Sequence, residues 1–381
     1  MSGRAHAHVI TLPRVNEAVA ARVREAIGDH GPIGFDEFME IALYGSGGFF
    51  ETPPVGADRD FVTSPHVHPF VFAHCLRDAL LDAWRGLEEP DPFEIVELGA
   101  GDGTLAGALL EAFGELPRPR VEYVAVEISP GAREALLERG LHVATRFEEL
   151  RPFEGIAFAN ELLDNLPFLR ARGRSTGVVE VLVGLEDDRL VEVETPWTRG
   201  DVPPPSLEPG TETAVPVGAF AMIDRLSTTM RRGYVLLIDY GKVDDPVGPA
   251  RGYRDQRLMT DVLSHPGAGD ITAGVAFGHV AAHARRRGLG SFGPVAQSDA
   301  LRALGHDRWD RTMRGIQSML QQRGRGSEAV RVWEARSRAS LLADPAAFGG
   351  FWWLVLATRD LPEPAWMSRA VRSVGPPTQR G

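Results

Sequence analysis

Ile95-Val96-Glu97-Leu98-Gly99-Ala100-Gly101-Asp102-Gly103-Thr104 decides how this chain folds. Its opening residues form the short apolar run of a strand buried on both faces. Three glycines at alternate positions follow, and Thr104 begins a helical periodicity that lasts to Phe113. A strand that runs through a glycine turn into a helix is the opening of a nucleotide-binding βαβ unit. Gly99 supplies the bend, Gly101 lets a ligand approach the backbone, and Gly103 lets helix pack on strand.

The spacing narrows the ligand. A dinucleotide site reads G-x-G-x-x-G and needs glycine at 104, where this chain has Thr104. Here the spacing is G-x-G-x-G, with Glu97 two residues ahead of the first glycine. S-adenosylmethionine has no pyrophosphate, and its amino-acid end carries an ammonium that Glu97 suits. The next strand closes on Val124-Ala125-Val126-Glu127, about 24 residues past the turn, where an acid accepts both ribose hydroxyls. The blander readings are a helix-capping carboxylate for Glu97 and a solvated strand end for Glu127.

Outward from this unit the alternation continues. Helix Ala132–Arg139, strands His142–Thr145 and Ile156–Ala159, helix Val217–Arg231 and strand Tyr234–Asp239 extend it. Helix Thr272–Arg287, strand Ser291–Ala296, helices over Ala300–Leu342 and strand Phe351–Ala357 complete it. These patterns predict an α/β fold, a Rossmann-like seven-stranded sheet with an added helical and β-hairpin lobe. The hairpin is Gly177–Thr195, with its turn at Glu186-Asp187-Asp188, followed by a Pro-rich loop from Pro196 to Pro209. Ahead of the core lie two amphipathic helices, Asn16–Ile27 and Phe35–Tyr44. A loop, Gly45–Pro69, leads to a helix at Phe70–Trp84, and a frayed tail is expected after Met367. The expected division is 1–90 as an N-terminal helical segment with a substrate-side loop, 91–300 as the core with an insertion at about 165–230, and 301–381 as a helical excursion, last strand and tail.

Composition limits the partners. The 381 residues are 43% hydrophobic and 24% charged, enough for a large α/β core. A net charge of -11 repels phosphate backbones, so no nucleic acid is expected. No run reaches the roughly 20 apolar residues of a membrane helix, so no membrane is expected either. The start, Met1 to Val9, lacks the apolar segment of a secretory signal. Cys75 is the sole cysteine, which excludes an internal disulfide and a cysteine metal site. A cytoplasmic protein is expected.

The chemistry is expected beyond the carboxyl end of the fourth strand, at Asn160-Glu161-Leu162-Leu163-Asp164-Asn165-Leu166-Pro167. Methyl transfer from a sulfonium asks an enzyme for alignment and, where needed, removal of a proton. Glu161 and Asp164 suit a cationic acceptor such as guanidinium, and Asn160 stands beside the cofactor. The competing reading makes Asp164 and Asn165 a turn that caps a helix. A second cluster, Asp60-Phe61-Val62-Thr63-Ser64-Pro65-His66-Val67-His68, precedes a helix. His66 has the ordinary pKa of a general base, and Asp60, Ser64 and His68 are candidate substrate contacts. His74, six residues on, is the one further ligand in view, too few for a metal site, and no metal is expected. Asp239 and Tyr240 end the fifth large strand as candidate acceptor contacts, or as a capping acid and a packed ring.

Several of these segments occur together in an order that resembles the MidA family. They are Gly31-Pro32-Ile33, Phe38-Met39, Ala42-Leu43-Tyr44, Asp60-Phe61-Val62-Thr63-Ser64-Pro65 and Glu97 through Leu105. Asn160 through Pro167, Ile238-Asp239-Tyr240-Gly241 and Asp270-Ile271-Thr272-Ala273 follow. The similarity spans about 31–300, with an echo at Phe351–Ala357. The family includes the methyltransferase of mitochondrial complex I assembly. The resemblance implies a Rossmann-like methyltransferase that uses S-adenosylmethionine, with a protein arginine as first-choice acceptor. The chain departs from the pattern at His66, where an acid is usual, and at His68, where a small residue is. It departs again at Gly274-Val275-Ala276 and at Trp352-Trp353.

The expected partner is therefore a protein or small-molecule methyl acceptor, with a second copy of the chain as a candidate assembly. Two other readings stay open. One is a small-molecule O- or N-methyltransferase with His66 as base. The other is a non-catalytic assembly or binding factor that retains the fold.

Overall fold

The structure, a computed structural model, describes residues 16–51, 63–254 and 257–373. Seven strands form the central sheet: β1 (Phe93–Leu98), β2 (Val121–Val126), β3 (His142–Ala144), β4 (Phe153–Asn160), β5 (Met230–Asp239), β6 (Gly290–Ala296) and β7 (Trp352–Ala357). Their order is β6-β7-β5-β4-β1-β2-β3. The pairs β1–β2, β2–β3, β1–β4 and β4–β5 are parallel, whereas β7 runs antiparallel to both β5 and β6. The order reverses between β1 and β4, which opens a crevice at their carboxyl ends. Leu98 lies against Val126 on one side and Ala159 on the other, so the glycine turn, Glu127 and Asn160 emerge at one rim.

Helices cover both faces. Pro69–Gly86 and Thr104–Gly114 lie on one, where Phe72, Leu76, Leu105 and Leu109 pack with Phe93, Phe158 and Trp353. Val217–Thr229 and Phe277–Arg286 cover the other through Ile223, Leu226, Phe277 and Val280. Burying strands on both faces accounts for the unbroken apolar run Val235–Ile238.

Between β4 and β5 the chain builds a second, antiparallel sheet. Its strand order is Arg189–Pro196, Gly177–Glu186, Leu169–Arg174, Glu212–Val215. The expected hairpin is its outer half, turned at Asp187 and Asp188 with φ of 46° and 63°. The strands at Leu169–Arg174 and Glu212–Val215 escaped the sequence pattern, because arginine holds every second position of the first. Arg170 and Arg172 pair with Glu212 of the adjacent strand, and with Arg174 they reach over Gly177–Glu186 to Glu192 and Glu194 of the outermost one, so charge pairs replace apolar alternation there. The N-terminal helices share a core with this sheet: Val19, Phe35 and Phe38 pack with Phe168 and Val183, and Ile33 bridges to Val183.

Four further expectations are corrected. Phe35–Tyr44 is an α-helix only to Met39 and widens into a π-helical turn over Glu40–Tyr44. The loop before the long helix holds one helical turn, Ser64–Val67. Helix Thr272–Arg287 begins only at Phe277, because Asp270–Thr272 is a strand paired with Arg251–Arg254. The tail continues as a helix, Ala365–Ser373, that buries Trp366, Met367 and Ala370, with Trp366 edge-on to Trp353; the expectation for 374–381 lies outside the described residues.

Candidate active site

The glycine turn sits in the left-handed region, with φ of 72°, 55° and 76° at Gly99, Gly101 and Gly103. A side chain at Gly99 would also meet Leu162 at 2.8 Å, and one at Gly103 would meet Leu136 at 2.8 Å. Glu127, just past β2, holds the bend in place. Its Oε2 accepts the Gly101 N–H at 2.8 Å and its Oε1 accepts the Ser129 N–H at 2.8 Å. Each oxygen keeps lone pairs for a further donor. Burial pushes this carboxyl up, and the two amides pull against it.

Two cavities meet at this rim. One, of about 390 Å³, is lined by Gly99, Gly101, Glu127, Phe147, Leu162 and Leu166. The other, of about 460 Å³, is lined by Glu97, Asp102, Asn160, Glu161, Asp164 and Asp270, together with His66, Tyr240, Arg251, Tyr253 and Thr272. Phe50, Gly99, Gly101, Glu161 and Asn165 border both.

Glu97 is buried and accepts the Tyr123 hydroxyl at 2.6 Å; burial pushes its carboxyl up to about 8. Glu161 has φ 54°, a left-handed conformation that costs a non-glycine residue about 1–3 kcal/mol and clusters at functional sites. The bend turns its side chain inward. Oε1 accepts the Ser64 N–H at 2.7 Å and the Asn160 amide at 3.2 Å, and burial lifts the carboxyl to about 7. Asp164 accepts the Thr272 hydroxyl on Oδ2 at 2.7 Å, and burial lifts it to about 6. Its Oδ1 is buried and accepts no hydrogen bond.

His66 lines the same cavity. Its Nδ1 lies 2.6 Å from Thr63 Oγ1 and its Nε2 3.5 Å from an oxygen of Asp102. The bond to Asp102 raises the imidazole above its ordinary value. Burial would raise Asp102 in turn, but hydrogen bonds from His66 and Thr104 hold it down at about 2.

Three expected substrate contacts stand elsewhere. Asp239 is fully buried and lines neither cavity. It accepts the N–H groups of Leu163 and Asp164 on one oxygen, and that of Tyr240 on the other. Burial and the nearby Asp164 push it well above the carboxylate range, and its place is under the Glu161 loop. His68 caps the helix Pro69–Gly86, accepting the Val71 N–H at 3.4 Å with its ring edge-on to Trp309. Its two-residue spacing from His66 spans a helix boundary, which turns the two side chains apart. Ser64 is buried and reaches the site through its backbone amide. Asp60 lies outside the described residues. Tyr240 does line the cavity. Sequence reasoning missed Asp102, Asp270, Thr272, Arg251 and Tyr253. Asp102 had a signal within the glycine turn itself, and Asp270 and Thr272 within the Asp270-Ile271-Thr272-Ala273 segment.

Residues 75–295, more than half of the chain, match the model of a family of S-adenosyl-L-methionine-dependent methyltransferases. The chain belongs to that family. The methyltransferase is 27% identical over 326 residues to the mitochondrial protein arginine methyltransferase NDUFAF7 of Xenopus tropicalis, covering 73% of each chain. It is likewise 27% identical over 316 residues to the Homo sapiens protein of that name, covering 73% of this chain and 71% of that one. Among solved structures, a Burkholderia thailandensis protein bound to S-adenosyl-homocysteine superposes with a TM-score of 0.77 at 25% identity, over 92% of this chain and 94% of that one. The cofactor of this methyltransferase is S-adenosylmethionine, and the residues present fit it. The open lone pairs of Glu127 match ribose hydroxyls, and Gly99 and Gly101 border both cavities with no side chain to intrude on a ligand.

These relatives correct the expected cytoplasmic location, since they are named mitochondrial. A lone cysteine does not distinguish one intracellular compartment from another.

Proposed function

We propose that this methyltransferase transfers the methyl group to a guanidinium nitrogen of a protein arginine. The observation that carries this reading is the pair Glu161 and Asp164, two buried carboxyls in a cavity whose lining adds Glu97, Asp102 and Asp270. Clustered carboxyls at low exposure suit a cation with several N–H donors, whose charge favours their ionised forms. The names of the curated relatives favour arginine among such cations.

On this reading Gly99, Gly101 and Gly103 shape the cofactor turn, and Glu127 accepts the ribose hydroxyls. Glu97 and Asn160 face the amino-acid end. Bound S-adenosylmethionine supplies an activated sulfonium methyl, so the residues of the site need only align the acceptor and receive a proton. As the N–CH3 bond forms and the S–CH3 bond breaks, the guanidino nitrogen sheds a proton to the Glu161 carboxylate. A carboxyl near 7 is poised for that exchange at neutral pH. Asp164 orients the acceptor, and His66, tied to Asp102, passes the proton onward. In this division of labour, residues 91–300 bind cofactor and acceptor, while Thr63, Pro65 and His66 from the segment before them and Phe348 and Phe351 from the segment after wall the acceptor side.

The test is incubation with labelled S-adenosylmethionine and a host lysate, followed by acid hydrolysis of the protein fraction. Label recovered as methylated arginine is the expected result. Label confined to small metabolites overturns arginine as acceptor.

A further inference from the structure

Three elements converge on Asp164. It lies in the turn after β4, Thr272 in the strand Asp270–Thr272, and Tyr240 just past β5. The Thr272 hydroxyl donates to Asp164 Oδ2 at 2.7 Å, and the Tyr240 hydroxyl bonds the same Thr272 oxygen. A hydroxyl has one proton to give, so a threonine that donates to Asp164 must accept from Tyr240. The chain therefore runs in one direction, Tyr240 to Thr272 to Asp164. Backbone contacts pin both ends of the second link: the Ala273 N–H donates to the Asp164 carbonyl at 3.1 Å, and Asp239 accepts the Asp164 N–H at 3.2 Å. With all this in place, Asp164 Oδ1 is buried and accepts no hydrogen bond.

We infer that Thr272, backed by Tyr240, is a positioning residue for methyl transfer: it occupies one oxygen of Asp164 and leaves Oδ1 as the fixed point on which an N–H of the acceptor docks. The inference rests on the reading of Asp164 as the acceptor's anchor. It also sets a selection rule. A buried acceptor oxygen without a partner is costly, so a methyl acceptor that brings a hydrogen-bond donor to Oδ1 is favoured over one that brings none. The groups that face Asp164 reinforce a cationic N–H donor. Glu161 and Asp239 are acids close by, and Asp270 is reached through the Asn165 amide. Burial pushes the phenols of Tyr44 and Tyr240 upward, and Asp164 and Asp270 add to the rise. Arg251, opposite Thr272 in the paired strand, is the cation of that wall.

Burial raises the Asp164 carboxyl to about 6, and the Thr272 hydroxyl opposes the rise. Thr272→Val removes that hydroxyl while keeping the branched shape. The readout is the Asp164 titration, followed by carbon-13 NMR of protein labelled at aspartate Cγ, with Asp164→Asn to assign the signal. The midpoint should climb by about one pH unit, the worth of one charge-assisted hydrogen bond. Thr272→Ser should restore it, and Tyr240→Phe should give a smaller rise. The acid limb of labelled methyl transfer into lysate protein should move up by the same amount, since the ionised form must be regained. An unmoved midpoint in both Thr272→Val and Tyr240→Phe overturns the hydrogen-bonded chain. A midpoint that moves while the acid limb stays in place overturns Asp164 as the acceptor's anchor, and with it the reading beneath.

Discussion

Replacing Glu127 by glutamine separates what this residue does for the fold from what it does for the cofactor. In the structure both of its oxygens accept backbone N–H groups, from Gly101 and Ser129, each at 2.8 Å. Glutamine keeps one acceptor oxygen but turns an NH2 toward the other amide, which is then orphaned. One orphaned buried N–H costs about 1–3 kcal/mol, and weakening the other bond from charged to neutral adds about 1 kcal/mol. Both losses occur with and without cofactor, so they appear in urea unfolding and cancel in binding. The affinity loss comes from the ribose pair alone. Two hydroxyls that lose a carboxylate acceptor give up about 2–4 kcal/mol together, a Kd for S-adenosylhomocysteine weaker by roughly 30- to 1000-fold. Isothermal titration measures that directly. A Glu127→Gln protein that unfolds more easily yet binds within twofold of wild type refutes the ribose role, and leaves Glu127 as a brace for the turn.

Glu161→Gln removes the proton acceptor while Gln can still receive the Ser64 N–H; turnover should fall by about 100-fold or more with Kd for S-adenosylhomocysteine nearly unchanged, and intact turnover in the lysate assay would count against it. His68→Ala should lose about 1 kcal/mol of helix capping without a change in methyl transfer, because the ring caps Pro69–Gly86 and lines neither cavity; a large loss of activity would return His68 to the site. The pH dependence of stability has a definite sign. Glu97, Glu161 and Asp164 are lifted to about 8, 7 and 6 from ordinary values of 4.5, 4.5 and 3.8. The folded protein thus holds protons that the unfolded chain has already released. The stability these groups contribute is full below about pH 4 and drains away as pH rises through 6 to 8. The cofactor-free protein should melt at falling temperature from pH 6 to pH 9, and Glu97→Gln should flatten the upper part of that fall. A melting curve that climbs over this range contradicts the assignment.

The glycine turn was legible because its parts are neighbours along the chain. Strand Phe93–Leu98, three glycines and the helix from Thr104 are local patterns, and local patterns survive in sequence. Glu127 and Asn160 could be placed near the turn because strand ends in a parallel sheet share one rim. The reversed direction of Trp352–Ala357 could not be read, since apolar alternation is the same along a strand in either sense. The strand Leu169–Arg174 hid because its charged side chains are satisfied by glutamates of two other strands of the same sheet, about 20 and 40 residues away.

By itself, then, the sequence determined a methyltransferase α/β core, the glycine turn within it, and two acids, Glu161 and Asp164, that line the cavity beside that turn. Only the tertiary structure decided which other polar groups face that cavity. Asp239 and His68 have the residue types of a site, yet one is spent on three backbone amides and the other on a helix end. Thr272, Arg251 and Tyr253 carried little signal of their own, and reach the cavity because Arg251–Arg254 pairs with Asp270–Thr272. The physical reason is that a side chain's chemistry is written in its residue type, whereas its partner is chosen by long-range packing that no local pattern records.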